Sequence, residues 1–262
     1  MIWVTLPIYN EEHTAGVLLW RIRQLFTELN RDFRILALDD ASDDETYEVL
    51  EPYARVMPLT LLRNESRQGP GRCTERLIRE AVKRSRYPKR DGLLLMQADF
   101  TDGPEAIPEL LRHFQGGADL VVARPSGAEL APRSVRAARA GAGFLVRGVA
   151  VPDGVEDPLA GYRLYRLFVL KRALDRLGPD EPLIRHDGWA ANLVLLSAVS
   201  PYLRRAEQVE VPIDYSRRYR GSRFRPIPEL WSVFQASRVA RAAEPSEQSS
   251  PPSGGKRVAG GE

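Results

Sequence analysis

Four short segments, met in a fixed order, constrain this chain more than any other feature of its 262 residues. Residues 2–12 (IWVTLPIYNEE), 35–46 (ILALDDASDDET), 64–81 (NESRQGPGRCTERLIREA) and 93–105 (LLLMQADFTDGPE) follow one another through the first half. The first, second and fourth are apolar strands running into polar, mostly acidic loops. The third opens a basic, glycine-rich loop where a strand ends. Strands alternating with helices close right-handed βαβ units around a parallel sheet. The carboxyl ends of such strands form one crevice, where open α/β folds bind ligands. Carboxylates and glycines remote in sequence therefore converge on one site.

Strands are expected over 2–6, 33–38, 59–62, 92–96 and 120–123, with helices over 14–29, 45–54, 70–83 and 104–114. In the first helix Leu18, Ile22, Leu25, Phe26 and Leu29 recur on one face. Pro70 suits the first turn of the third. The second half is less regular: a helix over 133–149 despite Gly141 and Gly143, a strand over 161–165, helices over 168–177 and 188–198, and a strand over 206–213. A single α/β domain over 1–228 is expected, then a helix over 229–243. Residues 244–262 are rich in Pro, Gly, Ser and charge, which cannot bury a core, so a disordered tail is expected.

A hydrophobic content of 43% with 28% charged residues is ordinary for a globular protein. The net charge is only +3, yet the arginines are clustered. Arg133, Arg136, Arg139 and Arg147 have no acidic residue between them, and Arg217, Arg218, Arg220, Arg223 and Arg225 form a second group. Local clusters on a nearly balanced chain suit a specific anionic ligand more than nucleic acid, or, for either cluster alone, a solvated helix face. The single cysteine, Cys73, excludes an intramolecular disulfide and fits a reducing cytoplasm. The chain enters a strand at once, leaving no room for a leader, and no apolar run nears the roughly 20 residues of a membrane helix. A cytoplasmic protein is expected, with any membrane contact peripheral, at the inner face. The helix over 229–243 places Leu230, Trp231, Val233 and Phe234 beside Arg238 and Arg241. It suits either an anionic membrane surface or packing on the domain.

Several residues are candidates for chemistry. Adjacent carboxylates such as Asp39 and Asp40 repel unless a cation or several donors use them. Gly69 and Gly71 flank Pro70 before a helix, with Arg67 and Arg72 on either side. Amides at a helix N-terminus favour anions, although the Gly-Lys-Ser/Thr ending of a Walker loop is missing. The segment Pro7-Ile8-Tyr9-Asn10-Glu11-Glu12 is either a binding loop or a turn in which Asn10 caps the next helix. Asp187, in His186-Asp187-Gly188-Trp189, is either a general base or a helix N-cap. His186 reads as a surface or packing residue rather than a ligand, and His13 and His113 suggest nothing.

The order and wording of these segments resemble glycosyltransferase family 2, and specifically its polyprenyl-phosphate (dolichol-phosphate) sugar transferase branch. The resemblance covers roughly residues 1–225 and implies a GT-A (Rossmann-like) fold, a mostly parallel sheet flanked by helices. It implies nucleotide contacts at Pro7, Tyr9, Glu11, Asp39 and Asp40, and a diphosphate beside Gly69 and Arg72. The family's Asp-x-Asp, which holds Mg²⁺ or Mn²⁺ on the diphosphate, stands here as Gln97-Ala98-Asp99. Asp99 is then the expected metal ligand, and Gln97 replaces the first carboxylate with an amide. Residues 157–163 (DPLAGYR) resemble the Asp-x-x-x-Gly-Phe-Arg stretch behind the acceptor site, and 210–221 (EVPIDYSRRYRG) its Glu-Val-Pro-Ile strand and basic loop.

What the resemblance implies is an inverting transferase moving a sugar from a nucleoside diphosphate sugar to a polyprenyl phosphate. Arg124, Arg136, Arg139 and Arg218 would hold the acceptor phosphate, and Asp99 and Asp187 would be the catalytic carboxylates. Two alternatives remain at this level. One is a non-catalytic nucleotide-sugar-binding relative, motivated by Gln97. The other is a soluble enzyme acting on a hydroxyl acceptor, with Asp187 as base.

Overall fold

A computed structural model describes residues 1–126, 133–178, 181–212 and 226–242. The expected tail, Arg218 and the rest of the second arginine group lie outside the described residues. Among the described residues seven strands, β1 (Ile2–Ile8), β2 (Phe33–Asp39), β3 (Leu59–Arg63), β4 (Gly92–Leu95), β5 (Leu120–Ser126), β6 (Arg163–Arg166) and β7 (Ala206–Pro212), form one sheet in the order β3-β2-β1-β4-β6-β5-β7. Among the described residues eight α-helices accompany them: α1 (Ala15–Glu28), α2 (Thr46–Val56), α3 (Pro70–Arg84), α4 (Ile107–Gln115), α5 (Arg133–Leu145), α6 (Leu167–Asp175), α7 (Gly188–Val199) and α8 (Pro226–Ala242).

Side-chain alternation makes the sheet two-faced. Val4, Leu6, Ile35, Ala37, Leu94 and Val121 pack beneath α1, α2 and α4. Trp3, Leu36, Leu38, Leu93, Leu95, Leu120 and Val122 face α3, α6 and α7. Burial on both faces explains why these strands read as unbroken apolar runs. The pairs β1–β2, β2–β3 and β1–β4 are parallel, so the ends of all four strands share one edge.

The strand expected over 161–165 departs from a parallel arrangement. β6 inserts between β4 and β5 and runs antiparallel to both. A four-residue strand carries no helical crossover to its partner that would fix its direction in the sequence.

A third, smaller core joins α5, α7 and α8 through Ala142, Val146, Ala190, Leu193, Val233 and Ala236. α7 is apolar all round because Ala191, Leu195 and Leu196 pack on the sheet side while Ala190 and Leu193 face α5 and α8. Val233 is fully buried, which contributes about 1.5–3 kcal/mol. α8 is therefore packed on the domain along one side.

Candidate active site

The crevice lies where β1, β2, β3 and β4 end. Register sets Ile8 beside Asp39 and Asp39 beside Arg63. Asp39 and Asp40 are both buried, and their repulsion is relieved by different partners. Asp39 accepts the Ser42 N–H at 3.2 Å, and Arg63 Nε lies 3.1 Å from its other oxygen. Arg63 also stacks over Tyr47, 4.5 Å from the ring centre.

Asp40 accepts from Asn64 Nδ2 (2.7 Å), Gln68 N–H (2.8 Å) and Gly69 N–H (2.9 Å). Burial opposes its ionisation, but these donors outweigh burial and hold its pKa below the ordinary value. Asp40 thus clamps the glycine-rich loop to the end of β2.

That loop has a second anchor. Asp187 Oδ1 accepts the Gly71 N–H at 2.7 Å, across 116 residues of sequence. Gly69 takes a φ of +93°, and a Cβ there would press on the Asp187 carboxylate. A Cβ at Gly71 would overlap the His186 carbonyl oxygen. Both glycines permit close approach, as the sequence suggests, but the approaching groups belong to the protein. The amides of Gln68, Gly69 and Gly71 point at Asp40 and Asp187 rather than into open space for a phosphate. Positive charge at the loop comes instead from the side chains of Arg67, which stacks 4.0 Å over the Tyr9 ring, and exposed Arg72.

Around Pro7 and Tyr9, both half-buried, the β1 loop is tied to the β2 loop. Asn10, with φ +56°, takes a hydrogen bond from Asp43 N–H and donates its own N–H to Ser42 Oγ at 2.9 Å. Asn10 is not the helix cap: α1 begins after Thr14. Glu11 N–H reaches Thr46 Oγ1 at 2.7 Å, and its carboxylate accepts the Thr14 hydroxyl at 2.6 Å.

Beyond β4, Gln97 is exposed and Asp99 half-buried. Asp99 Oδ1 accepts the Thr101 N–H at 2.9 Å, while buried Asp102 accepts the Gln97 N–H at 2.8 Å. Tyr162 braces the same loop by donating to the Gly103 carbonyl at 3.1 Å; burial, with the charges of Asp102 and Glu105, pushes its pKa well up. Among the described residues no cluster of three His, Cys, Asp or Glu could hold a metal alone. One carboxylate and one amide fit a hard cation that takes its remaining ligands from a diphosphate and water.

Two of the arginines expected to hold an acceptor phosphate look unopposed in sequence but not in space. Arg124 pairs with Glu156 and Arg139 with Asp157, carboxylates 32 and 18 residues away. Arg136 is exposed on α5. Arg139 also lies 5.8 Å from the Trp189 ring centre. Arg163 is buried against the Tyr165 hydroxyl and the carbonyls of Asn192 and Pro158, bracing the turn that carries Asp157.

Sequence reasoning missed Arg63 and Glu229 as members of this assembly, and the pairing of Asp157 with Arg139. Arg63 was accessible through β2–β3 adjacency, since it ends the neighbouring strand in register with Asp39. Glu229 and the Arg139–Asp157 pairing carry no such local signal.

The chain is similar to several known proteins. Dolichol-phosphate mannosyltransferase of Pyrococcus furiosus is 26% identical over 174 residues, covering 64% of this chain and 47% of that protein. Undecaprenyl-phosphate 4-deoxy-4-formamido-L-arabinose transferase of Pseudomonas aeruginosa is 31% identical over 126 residues, 46% of this chain and 34% of that protein. The chain thus spans less than half the length of these curated relatives. Among solved structures, glucosyl-3-phosphoglycerate synthase from Mycobacterium tuberculosis with uridine diphosphate superposes with a TM-score of 0.63 at 22% identity, over 94% of this chain and 82% of that one. S. aureus TarS 1–349 with UDP-GlcNAc gives 0.60 at 16%, over 91% and 66%. These likenesses establish the expected GT-A fold. The profile of Glycosyl transferase family 2 matches residues 3–174, two-thirds of the sequence and every crevice loop described above, and the chain belongs to that family.

Proposed function

We propose that this chain is an inverting glycosyltransferase that moves a sugar from a nucleoside diphosphate sugar to a polyprenyl phosphate. The observation that carries the reading is the convergence of Tyr9, Asp39 and the Asp99 loop on one strand edge, all inside the family match. The relatives named for dolichyl and undecaprenyl phosphate support the acceptor.

In this reading the nucleotide lies across Pro7, Tyr9, Glu11 and Asp39, with Arg67 and Arg72 near the diphosphate. An acceptor phosphate oxygen attacks the anomeric carbon on the face opposite the diphosphate. The new carbon–oxygen bond forms as the old one breaks, and the nucleoside diphosphate leaves with the bonding electrons. The attacking oxygen is already anionic at neutral pH, so no general base is required. Asp99 and Gln97 would hold Mg²⁺ or Mn²⁺, which occur with uridine diphosphate in structures of the M. tuberculosis synthase. When bound, such an ion supplies positive charge against the leaving diphosphate.

Arginine suits the acceptor because its guanidinium donates paired hydrogen bonds in a fixed plane. Exposed Arg136 shares α5 with Phe144, 66% exposed, while the neighbouring α8 exposes Ile227, Trp231 (61%) and Arg238. Apolar rings beside arginines suit an anionic bilayer that would present the lipid. Among the described residues no helix is long and apolar enough to cross a membrane.

Kinetics with polyprenyl phosphate in anionic phosphatidylglycerol vesicles test this reading. Arg136→Ala should raise the apparent KM for the lipid about tenfold, the scale of one lost charge-assisted hydrogen bond, with nucleotide-sugar KM unchanged. Trp231→Ser should weaken sedimentation with the vesicles. Parent-like behaviour of Arg136→Ala, with transfer abolished by Asp187→Asn, would favour a hydroxyl acceptor and Asp187 as base.

A further inference from the structure

Asp187 occupies the N-cap position of α7, yet its side chain makes no capping bond to that helix. Its carboxylate reaches sideways to the Gly71 N–H at the start of α3. The cap is provided from elsewhere: Glu229, in the first turn of α8, accepts the Trp189 N–H at 2.5 Å. Gly188 makes room for it. That residue takes a φ of +59°, and a Cβ there would collide with both Glu229 oxygens. Two carboxylates thus share the start of one helix, each with a separate task. Burial and the charge of Asp187 raise the Glu229 pKa, with the Trp189 N–H opposing. A carboxyl kept there despite these costs has a specific partner to hold.

We infer that Glu229 is a positioning residue of the transfer site: it fixes the start of α7 so that Asp187 stays on Gly71 and the glycine-rich loop keeps its shape. This rests on the reading that the crevice takes a nucleoside diphosphate sugar. The α5–α7–α8 core is then coupled to the nucleotide side of the crevice through one continuous set of contacts. Arg139 lies against Trp189, so the expected acceptor side meets the same helix start. α8 belongs to the working site rather than to an appendage.

Amide hydrogen exchange on the full chain tests this directly, because the Gly71 amide reports on Asp187. Glu229→Ala should speed exchange about tenfold at both Trp189 and Gly71, the scale of a lost cap. Glu229→Gln, which can still accept the Trp189 N–H, should leave both protected. If Glu229→Ala folds poorly, Gly188→Ala displaces the same carboxylate sterically and should expose Gly71 likewise. Binding of uridine and guanosine diphosphate sugars should weaken in step with Gly71 exchange. In an Asp187→Ala background, which removes the acceptor for Gly71 N–H, Glu229→Ala should add little further loss of binding, since one acts through the other. Gly71 protected while Trp189 is exposed, or additive losses in the double variant, would overturn the inference. Failure to glycosylate polyprenyl phosphate would strike only the proposed function, because the exchange result needs no acceptor.

Discussion

Single side chains at the crevice edge answer first to local chemistry. Cys73 is the clearest case. Buried on α3, it receives a 3.4 Å contact from Asn64 Nδ2 and lies near Asp40. Burial, then the negative charge of Asp40, pushes its thiol up to about 12. A thiol needs its thiolate to react. Ellman's reagent at pH 8 should therefore find no reactive thiol in the native protein and one in guanidinium chloride. Rapid native reaction would mean that the Asp40 clamp is open in solution. Asp40 itself works in the opposite sense. Its depressed pKa contributes stability above the ordinary carboxylate value of 3.8, and that contribution is lost as pH falls through the lower folded-state value.

Helices and strands decide which of these residues meet. The starts of α3 and α7 abut through Gly71 and His186, leaving no space for a methyl group. Gly71→Ala should lower stability by about 1–3 kcal/mol, the usual range for overpacking, measurable by denaturant unfolding. Nucleotide binding should fall with it, because the loop cannot keep both anchors. Unchanged stability would show that the two helix starts are not in close contact in solution. The elements themselves were legible in the sequence: α1, α3, α7 and the strands β1 to β4 begin within a residue of where periodicity sets them. The direction of β6 was not, because four residues carry no register signal. Nor were the partners of Arg124 and Arg139, or the link from Asp187 to Gly71. Arg124 and Arg139 read as uncompensated because their partners, Glu156 and Asp157, arrive from a later turn. Local pattern fixes helices and strands; pairing between distant loops depends on packing that no window of sequence contains. The choice between base and cap for Asp187 shows the same limit. Its own helix is capped by Glu229, from an element that follows 40 residues later.

At the scale of the whole molecule, the sheet gathers four loops onto one edge while α5, α7 and α8 add a helical wall carrying arginines and exposed rings. The family and fold are those of Glycosyl transferase family 2, and the proposed partition is nucleotide sugar on the sheet edge with lipid phosphate toward the wall. The segment Gln97-Ala98-Asp99 bears most heavily on whether this assembly turns over, since it offers one carboxylate for a cation. The most direct measurement incubates the full chain with a panel of nucleoside diphosphate sugars, Mg²⁺ or Mn²⁺, and polyprenyl phosphate in vesicles, with mass spectrometry of the lipid fraction. One glycosylated polyprenyl phosphate is expected, formed with release of nucleoside diphosphate and lost in Asp99→Asn and in excess chelator. Nucleotide-sugar binding without any glycolipid, in parent and Gln97→Asp alike, would contradict it.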